Sequence, residues 1–172
     1  MKLFIKNKLV SFGGSSFVTD EGDNQVYKVK GKIFSPTHKK KIYDMDGNLL
    51  FVVRNKFWQM FSKNCFIYNS DGEKVAKVQS KDWDFKNAYY IMGYNDEIEI
   101  AGRFLQFPNM ELTINKNGQK IGTLTKNFTI VRDSYTLDIE NEDEAPLFVA
   151  LTIAVDNILD KRRSEARSTR SR

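Results

Sequence analysis

The chain has 172 residues, 41% of them apolar and 13% aromatic, a size and balance that fit one globular domain rather than a low-complexity or fibrous chain. Its formal charge is +5, but residues 1–160 hold 21 Lys and Arg against 21 Asp and Glu, so the excess belongs to a tail from Lys161 to Arg172. A neutral body argues against nucleic acid as a partner, and the single cysteine, Cys65, excludes an intrachain disulfide and fits a reducing compartment.

The N-terminal residues Met1 to Lys8 are broken by charge after three apolar residues and lack the apolar stretch of a secretory signal. From there one unit recurs: alternating apolar residues, a turn rich in Asp, Asn and Gly, and alternation again. Phe17–Gly22 precedes Val26–Val29, Ile42–Gly47 precedes Leu49–Val52, and Phe66–Gly72 precedes Val75–Val78. Asn95-Asp96 separates Tyr89–Met92 from Ile98–Ile100, and Leu112–Gly118 precedes Ile121–Leu124. Asp-Gly and Asn-Gly between such runs predict two-residue type I′ hairpins, because that turn needs positive φ. Roughly ten to twelve strands follow, at the spacing of a sandwich or barrel. The uneven distance between units argues against a solenoid.

The segment Leu147–Val155 is apolar except for Thr152. A helix apolar all round is buried in a core or in a membrane, and about 20 residues are needed for a bilayer span. Asp156 arrives too soon for that, so the chain predicts a buried core helix from Pro146 to Leu159 and no transmembrane segment. Glu142, Asp143 and Glu144 before it, and Lys161, Arg162 and Arg163 after it, complement the helix dipole. From Ser164 onward there is no apolar periodicity, and residues 161–172 read as a basic, disordered tail outside a domain spanning 1–160.

Three stretches carry a family likeness: Val26–Ser35 leading to Ile42–Leu50, Ile100–Leu105 leading to Asn117–Gly122, and Asp133–Ile139 leading to the helix that ends Ile153–Ile158. With these the chain resembles the LURP-one-related family, whose fold is the tubby C-terminal-like barrel shared with phospholipid scramblases. The resemblance implies a mainly β structure: a closed antiparallel barrel of about twelve strands enclosing one apolar C-terminal helix. It also implies no enzymatic activity, no cofactor, and links to phosphoinositide or membrane binding, lipid translocation or plant defence. The terminal membrane helix and calcium-related sequence of scramblases are absent here, and no binding motif of the family maps onto particular residues.

Few residues offer chemistry. His38 is the sole histidine and precedes Lys39-Lys40-Lys41, which reads as an exposed turn before a strand; no Cys/His cluster for zinc exists. Gly-x-Ser-x-Gly and phosphate-loop patterns are missing, and Gly13-Gly14-Ser15-Ser16 reads as a turn. No catalytic or metal residue is assigned. Cys65 is expected to pack as a small apolar residue. Asp156 shares a helical stripe with Thr152; a buried carboxylate needs partners, although a place at the barrel mouth would leave it wet, and a structural role is expected. Phe57, Trp58, Phe61, Trp83 and Phe85 fill the barrel or form an apolar patch. The dense basic residues Lys39, Lys40, Lys41, Arg162 and Arg163 are the candidate lipid- or anion-binding set. The expected function is a non-catalytic binding or scaffold protein, cytoplasmic or peripheral at the membrane, meeting anionic phospholipid headgroups or a protein partner. The alternative is scramblase-like lipid handling or carriage of a small hydrophobic ligand inside the barrel.

Overall fold

A computed structural model describes residues 1–6, 15–31, 39–55, 64–81, 87–102, 109–127 and 134–170. Twelve strands run in chain order: β1 Lys2–Lys6, β2 Ser15–Thr19, β3 Gln25–Gly31, β4 Lys40–Tyr43, β5 Leu49–Asn55, β6 Asn64–Tyr68, β7 Lys74–Lys81, β8 Asn87–Met92, β9 Ile98–Gly102, β10 Asn109–Lys116, β11 Gln119–Asn127 and β12 Ser134–Ile139. Each pairs antiparallel with its sequence neighbours, and β1 pairs with β12 through Leu3 opposite Leu137 and Ile5 opposite Tyr135. The sheet therefore closes on itself, and among the described residues it leaves no strand edge to template pairing with another chain. The expected closed antiparallel barrel of about twelve strands around one C-terminal helix is what the chain forms.

Alternation decides which residues face inward. Val18, Val29, Ile42, Val53, Ile67, Val78, Leu112, Leu124 and Leu137 are all at most 2% exposed, and their strand neighbours face outward. This is the period of two that a half-buried strand imposes.

The hairpins that join β2 to β3, β4 to β5, β6 to β7, β8 to β9 and β10 to β11 collect at one end of the barrel, here called the hairpin end. Only Asn117-Gly118 is the expected two-residue turn, with φ of 51° and 79° and Lys116 opposite Gln119. The turns at 20–24, 44–48 and 69–73 are longer. In each, the first side chain caps the turn: Asp20, Asp44 and Asn69 accept from the backbone N–H of Asn24, Asn48 and Glu73 at 2.9, 2.7 and 2.8 Å. One positive-φ residue per turn (Asp23, Gly47, Gly72) and a register shift in the adjoining pair accompany the cap. The Asp or Asn that opens each turn thus does more than break the strand: its carboxylate or amide substitutes for backbone pairing.

After β12 the chain turns inward at the hairpin end. A short 3-10 turn, η1 Glu142–Glu144, is capped by Asn141, whose side chain accepts from the Asp143 N–H at 3.1 Å. Helix α1, Ala145–Arg170, follows along the barrel interior. Lys116 fastens its entry, bridging Asp96 at 3.0 Å and Glu144 at 2.6 Å. Leu147 to Leu159 are buried without exception, at 0–9% exposure. The helix packs most against β5 and β6. Burying each large aliphatic side chain contributes about 1.5–3 kcal/mol; helix and inner wall thereby remove each other's apolar surface from water.

One expectation is corrected here. The helix was to stop at Leu159 and give way to a disordered tail, but its backbone stays helical through Arg170. The segment 160–170 has no Gly or Pro to end a helix, and its Lys, Arg, Glu and Ala are good helix formers that the nucleated helix can propagate into at little cost. Tail residues 171–172 lie outside the described residues.

Candidate functional site

The helix delivers a polar pair, Asp156 and Asn157, to the far end of the barrel, opposite the hairpins. Three inward-facing side chains from separate strands converge on Asp156. Tyr135 of β12 donates its hydroxyl to Oδ1 at 2.6 Å, Lys126 of β11 donates to the same oxygen at 3.1 Å, and Lys40 of β4 reaches Oδ2 at 3.4 Å. Lys126 also donates to the Tyr135 hydroxyl and lies 4.6 Å from the centre of its ring. Lys126, Asp156 and Lys40 are 0%, 3% and 7% exposed. Burial by itself pushes the Asp156 carboxyl up. The charges of Lys40 and Lys126, with hydrogen bonds from Tyr135 and Lys126, outweigh it and hold the group below the usual carboxylate range. Burial first, then the Asp156 charge, drives the Tyr135 hydroxyl well above its ordinary value. The cluster is thus an ionised carboxylate between two lysines with a neutral phenol, all within the barrel wall.

Beside it, Asn157 donates to Cys65 Sγ at 4.0 Å. Burial pushes the Cys65 thiol up to about 12 against that contact and the Lys40 charge, so the sulfur stays protonated and unreactive. Asn55, 6% exposed and facing inward opposite Cys65, has no hydrogen-bond partner for its Oδ1 among the described residues. Thr152 is satisfied locally by the Phe148 carbonyl at 2.9 Å. Chemically the cluster ties one carboxylate to two lysines and a phenol. Its physical effect is to pin the helix, because three strands and the helix share one set of charges.

The five candidate anion-binding residues do not stay together. Lys40 begins β4, so the lysine triplet is the head of a strand rather than a turn, and alternation sends Lys40 inward with Ile42 to Asp156. It is therefore removed from the candidate surface set. Lys39 and Lys41 point to the half-exposed outside. Arg162 and Arg163 lie on the described helix backbone beyond Leu159, with side chains outside the described residues. Lys126 and Tyr135 were missed. The available signal was parity: Lys126 follows Leu124 on the inward set of β11, and an inward Lys needs an acid such as Asp156. His38, Gly13, Gly14, Phe57, Trp58, Phe61, Trp83 and Phe85 lie outside the described residues, whereas Ser15 and Ser16 belong to β2 rather than to a turn.

The fold also separates charge. The hairpin end gathers Asp20, Glu21 and Asp23, then Asp44 and Asp46, Asp71 and Glu73, Asp96 and Glu97, and the run Glu140, Glu142, Asp143 and Glu144. That is more than half of the chain's 22 Asp and Glu. The far end receives the head of β4 with Lys39 and Lys41, and the emerging basic helix.

A closed twelve-stranded barrel filled by its own C-terminal helix defines the class. The profile of the LURP-one-related family matches residues 1–156, and the chain belongs to that family. The Bacillus subtilis (strain 168) protein YxjI, itself described as uncharacterized, is 26% identical over 159 residues, covering 92% of this chain and 94% of that relative. No solved structure matches.

Proposed function

We propose that this protein is a non-catalytic binding protein that works in the cytoplasm, peripherally at anionic phospholipid surfaces. The observation that supports it is the placement of two basic clusters, more than 100 residues apart in sequence, at the same end of the barrel: Lys39 and Lys41 at the head of β4, and the helix extension that carries Arg162 and Arg163. The acidic hairpins occupy the opposite end. A dipole of this kind orients the molecule in the field of an anionic leaflet, and each basic residue near the surface contributes about 1 kcal/mol. Among the described residues no helix is long and apolar enough to cross a membrane. Carriage of a hydrophobic ligand is the weaker reading, because Leu151, Ala154 and Val155 of the helix, each 0% exposed, occupy the barrel's centre.

Flotation with phosphatidylserine vesicles tests the reading. The chain should float with anionic vesicles at low salt, remain behind with neutral ones, and lose binding as salt shortens the Debye length from about 10 Å at 0.1 M toward about 3 Å at 1 M. The substitutions Lys39→Glu with Lys41→Glu, and Arg162→Glu with Arg163→Glu, should weaken binding stepwise. A parent that ignores anionic vesicles at low salt ends the proposal.

A further inference from the structure

The neutral total of residues 1–160 hides a segregation that only the fold reveals. Strands β2 to β7, six neighbours around half the barrel, contain no Asp or Glu. Their outward positions carry Lys28 and Lys30 on β3, Lys41 on β4, Arg54 on β5 and Lys77 on β7. The register sets Lys30 directly opposite Lys41 on the outer face. Like charges so placed destabilise a sheet, because cross-strand Cβ atoms stand only about 4.5–5.5 Å apart. No neighbouring carboxylate on these strands relieves the pair.

Aromatic rings interleave with the cations. The Lys28 ammonium lies 5.6 Å from the Phe17 ring centre, Lys30 lies 5.0 Å from Tyr43, and the Arg54 guanidinium sits 4.3 Å over Tyr68. Phe66 stands between Arg54 and Lys77 in one cross-strand row. A planar guanidinium lying on a ring is a stacking surface, and rings beside cations on a sheet are the two components that bind bases and phosphates of an unpaired strand.

We propose that the outer wall of β2–β7 is a platform for single-stranded nucleic acid. The wall's curvature favours this occupant over a bilayer. A flat membrane touches a convex barrel along a narrow strip, whereas a flexible polyanion can follow the curve from Lys30 through Arg54 to Lys77. The wall is a separate surface from the far-end cluster, sharing with it only Lys41.

Fluorescence anisotropy of the full chain with labelled oligouridine and oligothymidine of about 20 nucleotides is the test. Binding is expected at about 50 mM salt and should weaken steeply by about 200 mM. The triple substitution Lys30→Glu, Arg54→Glu and Lys77→Glu should weaken it at least about tenfold and flatten the log–log salt dependence by about 2, at roughly 0.7 per lost phosphate contact. Tyr68→Ala should cost about fivefold or more through lost stacking, while Lys120→Glu, on β11 across the barrel, should change nothing. Acetylation of lysines read by mass spectrometry supplies a check on the unaltered chain: saturating oligonucleotide should protect Lys28, Lys30, Lys41 and Lys77 but not Lys120. Absence of oligonucleotide binding at low salt, or equal labelling of wall lysines with and without oligonucleotide, overturns the proposal. Should the triple substitution abolish binding to phosphatidylserine vesicles while the parent ignores oligonucleotides, the wall is a lipid-facing surface; the lipid reading then survives and the nucleic-acid one does not.

Discussion

At the residue scale the decisive group is Asp156. Two lysines and a tyrosine from three strands hold its charge, so removing the carboxylate takes from the buried Lys40 and Lys126 the counter-charge they share. Asp156→Ala should cost about 3–5 kcal/mol, the usual loss when one partner of a buried ion pair is deleted. In a domain of this size that is a drop of roughly 6–20 °C in Tm. Replacing the whole cluster by apolar residues of similar volume (Lys40→Met, Lys126→Met, Asp156→Leu) should recover much of the loss, since the desolvation cost disappears with the charges. A single variant as stable as the parent would show that the cluster does not anchor the helix. The pH dependence has a definite sign. The folded Asp156 carboxyl sits below its unfolded value. Its contribution is therefore complete above the unfolded pKa, about 3.9. It is lost as pH falls through the lower folded value, so urea midpoints should decline on acidification below about pH 4 and do so less in the apolar triple variant.

At the scale of elements, the helix and the sheet depend on each other. Leu151→Asp would place an unpaired charge at a position with 0% exposure, and the domain should fail to fold. A cooperative melt near the parent's would disprove the enclosed helix. Gly122→Ala on β11 is a second probe, because a Cβ there would lie 2.3 Å from the Asp138 carbonyl oxygen on β12. The two strands must separate locally, and a clear loss of Tm is expected. Deleting Ser164–Arg172 should leave the Tm unchanged, since the continuous burial of the helix ends at Leu159. These elements differ in how far the sequence disclosed them. The hairpins were legible because Asp-Gly and Asn-Gly report local φ requirements, and the helix because apolarity on every side has few structural meanings. The turn class was legible only at Asn117-Gly118; elsewhere the capping bonds of Asp20, Asp44 and Asn69 lengthen the turn. The inward course of Lys40 was hidden by its two lysine neighbours, which made the triplet look like one exposed patch. Strand parity, not composition, separates them. The helix beyond Leu159 was hidden because propensity carries it on after the apolar pattern has ended.

The whole molecule is one cooperative object if the barrel and its contents cannot come apart separately. Closure of the sheet pairs Leu3 with Leu137, and the Asp156 cluster links β4, β11 and β12 to the helix. Withdrawal of the helix would expose nearly the entire inner wall, and opening of the wall would expose the helix. Neither half-state retains enough apolar burial to offset its ordered backbone. Cys65 reports on this directly. Its thiol is 0% exposed behind Asn157 and pushed up to about 12, so it should resist thiol reagents at pH 8 until the helix leaves. Labelling of Cys65 along a urea titration should therefore coincide with loss of the far-ultraviolet β signal, with one midpoint for both. Labelling that precedes the β signal would mean that the helix leaves an intact barrel. The filled interior would then be one state of two, and the ligand-carrier reading would regain the space that the closed structure denies it.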